Sequence, residues 1–101
     1  MIIRIVQMTF QKDKVNDFIT FFEERKQTIR NFPGCIHLEL WQDSIHENIF
    51  FTYSQWNNTT DLDHYRFSGF FKDTWTKTKA LFAEKPQAWS VQKKSETQED
   101  Y

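Results

Sequence analysis

The chain has 101 residues, enough for one domain that buries about two-thirds of its unfolded surface and too few for a second. With 11 Phe and 4 Trp in an aromatic share of 18%, its core must be built from large rings that each bury on the order of 150–250 Å², and few such rings enclose a flat apolar pocket. The formal net charge is -1 and Lys and Arg are interspersed with Asp and Glu, so no basic stripe exists for nucleic acid or an anionic membrane, and neither is an expected partner.

Ile2 to Phe10 is rich in Ile, Val, Met and Phe without helical periodicity, and Lys12-Asp13-Lys14 closes it as a turn, which predicts a strand. The period then changes. Val15, Phe18, Ile19, Phe22 and Ile29 recur at helical spacing, with Asp17, Glu23, Glu24, Arg25 and Arg30 on the other faces. Asn31-Phe32-Pro33-Gly34 stops this helix, because the residue before Pro disfavours the αR region and Gly accepts a positive φ. Cys35 to Trp41 alternates, with Ile36, Leu38 and Leu40 on one side and Cys35, His37, Glu39 and Trp41 on the other. The polar stretch Gln42 to Asn48 supplies a hairpin loop, and Ile49 to Trp56, rich in β-branched and aromatic residues, follows as a third strand.

Asn57-Asn58-Thr59-Thr60-Asp61 is rich in N-capping residues, and Leu62, Tyr65, Phe71, Trp75, Thr78 and Phe82 continue at helical spacing, with Ser68-Gly69 dividing a short helix from a longer one. Pro86 precedes a last strand, Ala88 to Lys93. The polar, acidic residues 95–101 are expected to be disordered, leaving a single domain over residues 1–94. The lone Cys35 excludes an internal disulfide framework, and the first residues lack the apolar core and cleavage site of a signal peptide, so the cytoplasm is the expected compartment. No apolar run approaches the ~20 residues of a membrane-spanning helix.

The element order β-α-β-β-α-β predicts an α+β, ferredoxin-like fold, a four-stranded antiparallel sheet with two helices on one face. Yet both faces of its strands are apolar. Ile3 and Ile5 oppose Ile2, Val6, Met8 and Phe10 on the first strand, and Ile49, Phe51 and Tyr53 oppose Phe50 and Trp56 on the third. An uncovered face of this kind exceeds what soluble monomers expose, so a homodimer with two sheets packed face to face as an α+β barrel is expected.

Phosphate-loop, Cys-x-x-Cys and His-Glu-x-x-His motifs are absent. His37 and Glu39 share a strand face, either as the start of a metal or proton-sharing site or as an ordinary polar or interface pair. His64 and Tyr65 lie on the second helical segment, where either ring faces the cavity, or Tyr65 belongs to the core and His64 to the surface. His46 is a solvated loop residue and Cys35 an inert apolar one. Gln7 stands in an apolar strand, where its amide needs a ligand or a local hydrogen-bond partner. The four Trp belong to core or interface by default, with Trp75 and Trp41 also candidates to line a pocket for a planar ligand.

The strand-helix opening, the Pro33-Gly34-Cys35 turn, and Tyr53-Ser54-Gln55-Trp56 followed by Leu62 and Tyr65-Arg66-Phe67-Ser68-Gly69-Phe70-Phe71 resemble the antibiotic biosynthesis monooxygenase family over about residues 1–93. The resemblance implies a dimeric α+β barrel. It also implies oxidation of a small aromatic or quinol with dioxygen and no metal or other cofactor, because an electron-rich phenolate can itself reduce oxygen. Under it, Gln7 and Tyr65 orient the substrate, His64 acts as base, and Trp75, Phe71, Trp56 and Phe22 hold the ring. The chain also departs from the pattern. Gln55 stands where many members have Glu, and Tyr65 where many have His. The Asn, Trp and His set of the haem-degrading branch falls on Gln7, Tyr65 and Trp75, leaving no axial His. The departures keep a second reading in play, a non-catalytic dimer that binds a small molecule.

Overall fold

In the computed structural model, which describes residues 1–98, the alternating and helical patterns resolve into β1 (Ile2–Thr9), a 3₁₀ turn (Lys12–Lys14), α1 (Val15–Arg30), β2 (Cys35–Gln42), β3 (Ile49–Trp56), α2 (Thr59–Arg66), α3 (Gly69–Lys79) and β4 (Gln87–Val91). The strands form one sheet in the order β2-β3-β1-β4 with every pair antiparallel, the α+β ferredoxin-like arrangement. Of the tail expected to be disordered, residues 95–98 are exposed and without regular structure, and residues 99–101 lie outside the described residues.

The break in the second helical segment falls at Ser68-Gly69, for a local reason. The Ser68 hydroxyl accepts from the Phe71 N–H at 3.1 Å, capping α3, and donates to the Tyr65 carbonyl at 2.6 Å, satisfying the end of α2. Asn58 caps the start of α2 by accepting from the Asp61 N–H at 2.8 Å. In the turn between α1 and β2, Gly34 has φ 86°. A Cβ there would collide with the Asp61 side chain, so both the backbone conformation and the approach of α2 require Gly.

Strand alternation sends Arg4, Val6 and Met8 of β1 toward the helices and Ile3, Ile5 and Gln7 to the outer face. The main core lies beneath α1, where Met8, Phe10, Phe18, Phe22 and Phe50 are buried together and the rings of Phe10 and Phe18 stack at 4.0 Å. A second cluster joins Cys35, Trp56 and Leu62, with Phe32 and Tyr65 against it.

Cys35 corrects the expected alternation of β2. The pairing slips between Cys35, opposite Trp56, and His37, opposite Gln55, so Ile36 is the extra residue of a bulge. The slip turns Cys35 inward beside Trp56, on the helix side with Leu38 and Leu40, and leaves His37, Glu39 and Trp41 on the outer face. Phe10, expected as strand, instead makes an isolated bridge with Phe82. No helix among the described residues is long and apolar enough to cross a membrane.

Candidate functional site

Between the helix-facing side of the sheet and helices α2 and α3 lies a cavity of about 230 Å³. Its floor comes from alternate residues of the central strands, Val6 and Met8 of β1 and Thr52, Ser54 and Trp56 of β3, with Leu38 of β2 beside them. Its roof is the inner face of the helices, Leu62 and Tyr65 of α2 and Phe71, Thr74, Trp75 and Thr78 of α3, closed toward the core by Phe22 and Ile29 of α1. A dry apolar cavity of about 150 Å³ accepts benzene, so this one has room for one or two fused rings.

The aromatic walls are mutually braced. Tyr65 stacks on Trp56 at 5.0 Å and meets Phe71 edge-on at 5.1 Å, and Phe71 stacks on Trp75 at 6.0 Å. The Trp56 indole N–H donates to the Ser54 hydroxyl at 3.0 Å, fixing the ring plane at the floor. Thr78, also in the lining, has its hydroxyl satisfied within α3, where it donates to the Thr74 carbonyl at 2.7 Å.

Pro86, Gln87 and Ala88 line the β4 side, and two cations complete the lining, Arg4 from β1 and Arg66 from the last turn of α2, both partly exposed. Burial and then the neighbouring Arg66 lower the Arg4 guanidinium from its ordinary pKa, opposed by Asp63. Arg4 donates to the Ser90 hydroxyl of β4 at 3.0 Å. Arg66 has Asp63 at 3.9 Å. Tyr65 shifts the other way: burial, then the nearby Cys35, push its phenol up and hold it neutral. It can wall the cavity or donate a hydrogen bond, but it is no base near neutral pH.

Of the residues singled out in the sequence, Tyr65, Trp75, Phe71, Trp56 and Phe22 therefore meet around one cavity. Gln7 and His64 do not join them. Gln7 is an odd-numbered β1 residue and points to the outer face between Phe51 and Gln87, while His64, about 100° round the helix from Tyr65, is exposed. The Cys35 thiol is buried and raised by that burial, the setting of an inert thiol. His37 and Glu39 are in contact on the outer face, where the Glu39 carboxylate also accepts from the Trp41 indole at 2.7 Å and Trp41 stacks on Tyr53 at 4.7 Å. Among the described residues no group of three His, Cys, Asp or Glu is placed to hold a metal ion. A second depression, between the 3₁₀ turn and the hairpin loop, is lined by Lys12, Val15, Ile45, His46, Glu47 and Asn48 and offers no apolar ring wall.

Arg4 and Arg66 are absent from the site expected from sequence. The signal for Arg4 was available: it is the one charge in Ile-Ile-Arg-Ile-Val-Gln-Met, in phase with Val6 and Met8. Arg66 gives no such signal, since a charge beside a helix end is usually solvated.

The family model for antibiotic biosynthesis monooxygenase matches residues 1–77. No curated protein sequence matches the chain. Among solved structures, one of an antibiotic biosynthesis monooxygenase superposes with a TM-score of 0.87 at 16% identity, over 94% of this chain and all of its own. A conserved protein from Methanosarcina mazei Go1 gives 0.86 at 20% identity, covering 93% of this chain and 94% of its own. Rv0793 from Mycobacterium tuberculosis gives 0.85 at 12% identity, over 96% and 98% of the two chains.

Proposed function

This chain belongs to the antibiotic biosynthesis monooxygenase family, and we propose that its cavity binds a small phenol or quinol that the protein oxidises with dioxygen, without metal or organic cofactor. The observation that carries this reading is the cavity wall itself, stacked aromatic rings on one side and two guanidinium groups at the edge. Trp56, Tyr65, Phe71 and Trp75 hold the substrate ring flat and exclude water from its faces. Arg4 and Arg66 supply the positive field in which a phenol ionises more readily than in water.

The lining residues include no Asp, Glu or His, so the proton leaves to solvent at the arginine-lined edge rather than to a side-chain base. The phenolate gives one electron to dioxygen, and the two radicals combine at a ring carbon as a hydroperoxide. Loss of water then leaves a quinone: one oxygen atom stays in the product, the other departs as water with two substrate hydrogens, and no external reductant is consumed. His64 and Gln7 take no direct part in this scheme, and Tyr65 orients the ring.

The chain works as a homodimer in this proposal, a second copy covering the outer sheet face, with residues 1–94 as the folded unit and the cytoplasm as its compartment. Oxygen uptake with a panel of quinols and naphthols, under metal chelation, tests the activity. Uptake matched one-to-one by quinone, with one labelled atom from ¹⁸O₂ retained, is the expected result. The missing side-chain base favours a second reading, a non-catalytic dimer that binds an aromatic ligand. Saturable binding with no oxygen uptake for any ligand that binds selects it.

A further inference from the structure

We infer that the preferred ligand of this cavity is an aromatic hydroxy acid, a planar ring carrying a carboxylate next to its phenolic oxygen. The carboxylate then supplies the negative charge that Arg4 and Arg66 face, and the phenolic oxygen a second acceptor beside it. The inference rests on the aromatic cavity proposed above and adds the charge of its occupant.

The argument begins with what surrounds each arginine. Arg25 is neutralised within the fold, 2.9 Å from Asp73, bonded to Thr74 at 2.8 Å and lying over the ring of Phe21. Arg30 reaches the Cys35 carbonyl at 2.7 Å and ties α1 to β2. Arg4 and Arg66 have no such closure. Arg4 meets only the neutral Ser90 hydroxyl, and no carboxylate lies within ion-pair distance of it among the described residues. The nearest acid to Arg66 is the partly exposed Asp63, at the outer limit of an ion pair.

Arg4 also occupies a row that is otherwise apolar, between Ile2 and Val6 on the helix-facing side of a central strand. A charge in such a row loses solvation and the adjacent Arg66 adds repulsion, and Asp63, which forms no ion pair with Arg4, offsets only part of the two. An anion between the two relieves both. A single phenolate oxygen meets one guanidinium well, whereas a carboxylate beside a phenolic oxygen offers acceptors to both forks. The stacked rings of Phe71 and Trp75 and the face of Tyr65 require the rest of the ligand to be flat and apolar.

Titration calorimetry at pH 7 with 1-hydroxy-2-naphthoate and its methyl ester tests the inference, since the pair shares ring and hydroxyl but only the acid carries the carboxylate. The acid is expected to bind about tenfold more tightly or better, as one charge-assisted contact allows, and to lose that advantage as salt rises. Arg4→Gln and Arg66→Gln should each shrink the acid-over-ester affinity ratio severalfold, whatever they do to the hydroxyl contact that both compounds share, and Arg4→Lys should keep part of the ratio. Should Arg4→Gln fail to fold, the wild-type comparison and Arg66→Gln still decide. Equal affinity for acid and ester overturns the anion inference and leaves the aromatic cavity standing. A preference that survives in both Gln variants overturns it as well, by moving the anion elsewhere. If neither compound binds, the aromatic-cavity proposal fails with it.

Discussion

Tyr65 is held on three sides, stacked on Trp56 and edge-on to both Phe32 and Phe71, and its phenol is kept neutral by burial. Its raised pKa has a consequence for stability with a definite sign. The unfolded chain ionises this phenol near pH 10, while the folded chain holds the proton to higher pH, so the contribution is intact below pH 10 and is lost as pH rises above it. Tyr65→Phe keeps the ring contacts, and urea midpoints should match wild type at pH 7 within about 1 kcal/mol but fall less steeply between pH 10 and 11. Parallel slopes in that range would show that the phenol is not shielded. Gln7 and His64 supply the complementary case. Both face away from the cavity, so His64→Ala and Gln7→Leu should leave ligand affinity unchanged within about twofold in the calorimetric titration. A tenfold loss in either would return that residue to the site. The rings were legible in the sequence because a large aromatic at helical spacing must be buried somewhere. Arg4 was not, since a lone charge in a strand is ordinary on an exposed face, and only the phase shared with Val6 and Met8 marks this one as inward.

At the scale of elements, punctuation residues decide where helices start and which way strands face. Gly34 combines a positive φ with close approach of Asp61, so Gly34→Ala must both strain the backbone and push α2 away from the turn. A loss of about 1–3 kcal/mol in denaturant unfolding is expected, with ligand affinity falling too, because α2 carries Tyr65 and Arg66. Asn58→Ala removes one cap bond from the same helix and should cost about 1 kcal/mol. A Gly34→Ala protein as stable as wild type would mean that the turn relaxes without moving α2. All four strands, the long first helix and the break at Ser68-Gly69 were readable from period and capping chemistry. The bulge at Ile36 was not. Alternation reads each strand as unbroken, and Cys35-Ile36-His37 contains no Gly or Pro to announce an extra residue, so the pattern alone puts Cys35 on the face it does not occupy. What forces the slip is tertiary: Cys35 fills the space against Trp56 and Leu62 beneath α2, a contact no local pattern encodes.

For the whole molecule, all three α-helices lie on one side of the sheet, while the opposite side carries Ile3, Ile5, Phe51, Tyr53, Trp41, Trp89 and Val91. Trp41, Trp89 and Val91 are each about 40% exposed, and β4 has no exposed charge on this face. In the proposed homodimer a second copy related by a two-fold axis would cover this face with its own equivalent, each apolar row meeting the same row of its partner. The outer side is not uniformly apolar, since His37, Glu39, Gln7 and Gln55 also lie there, and Gln55 donates to the Tyr53 hydroxyl at 2.8 Å. His37, Glu39 and Gln55 are bonded to neighbouring side chains, which lowers the cost of covering them, while Gln7 on the central strand β1 needs a partner supplied across the proposed interface. Sedimentation at micromolar concentration should therefore give twice the 12.4 kDa chain mass, and the melting temperature should rise with protein concentration, as mass action requires of a dimer that stabilises its subunits. Trp89→Glu places a charge on the apolar outer face, on the edge strand β4 opposite Ile5 and away from the ring walls of the cavity. It should yield single chains and a melting temperature that no longer depends on concentration, while each chain still binds the naphthoate, because the cavity is closed by helices of the same chain. A wild-type mass of one chain would sink the dimer. Loss of ligand binding on dissociation would show instead that the partner helps to shape the site.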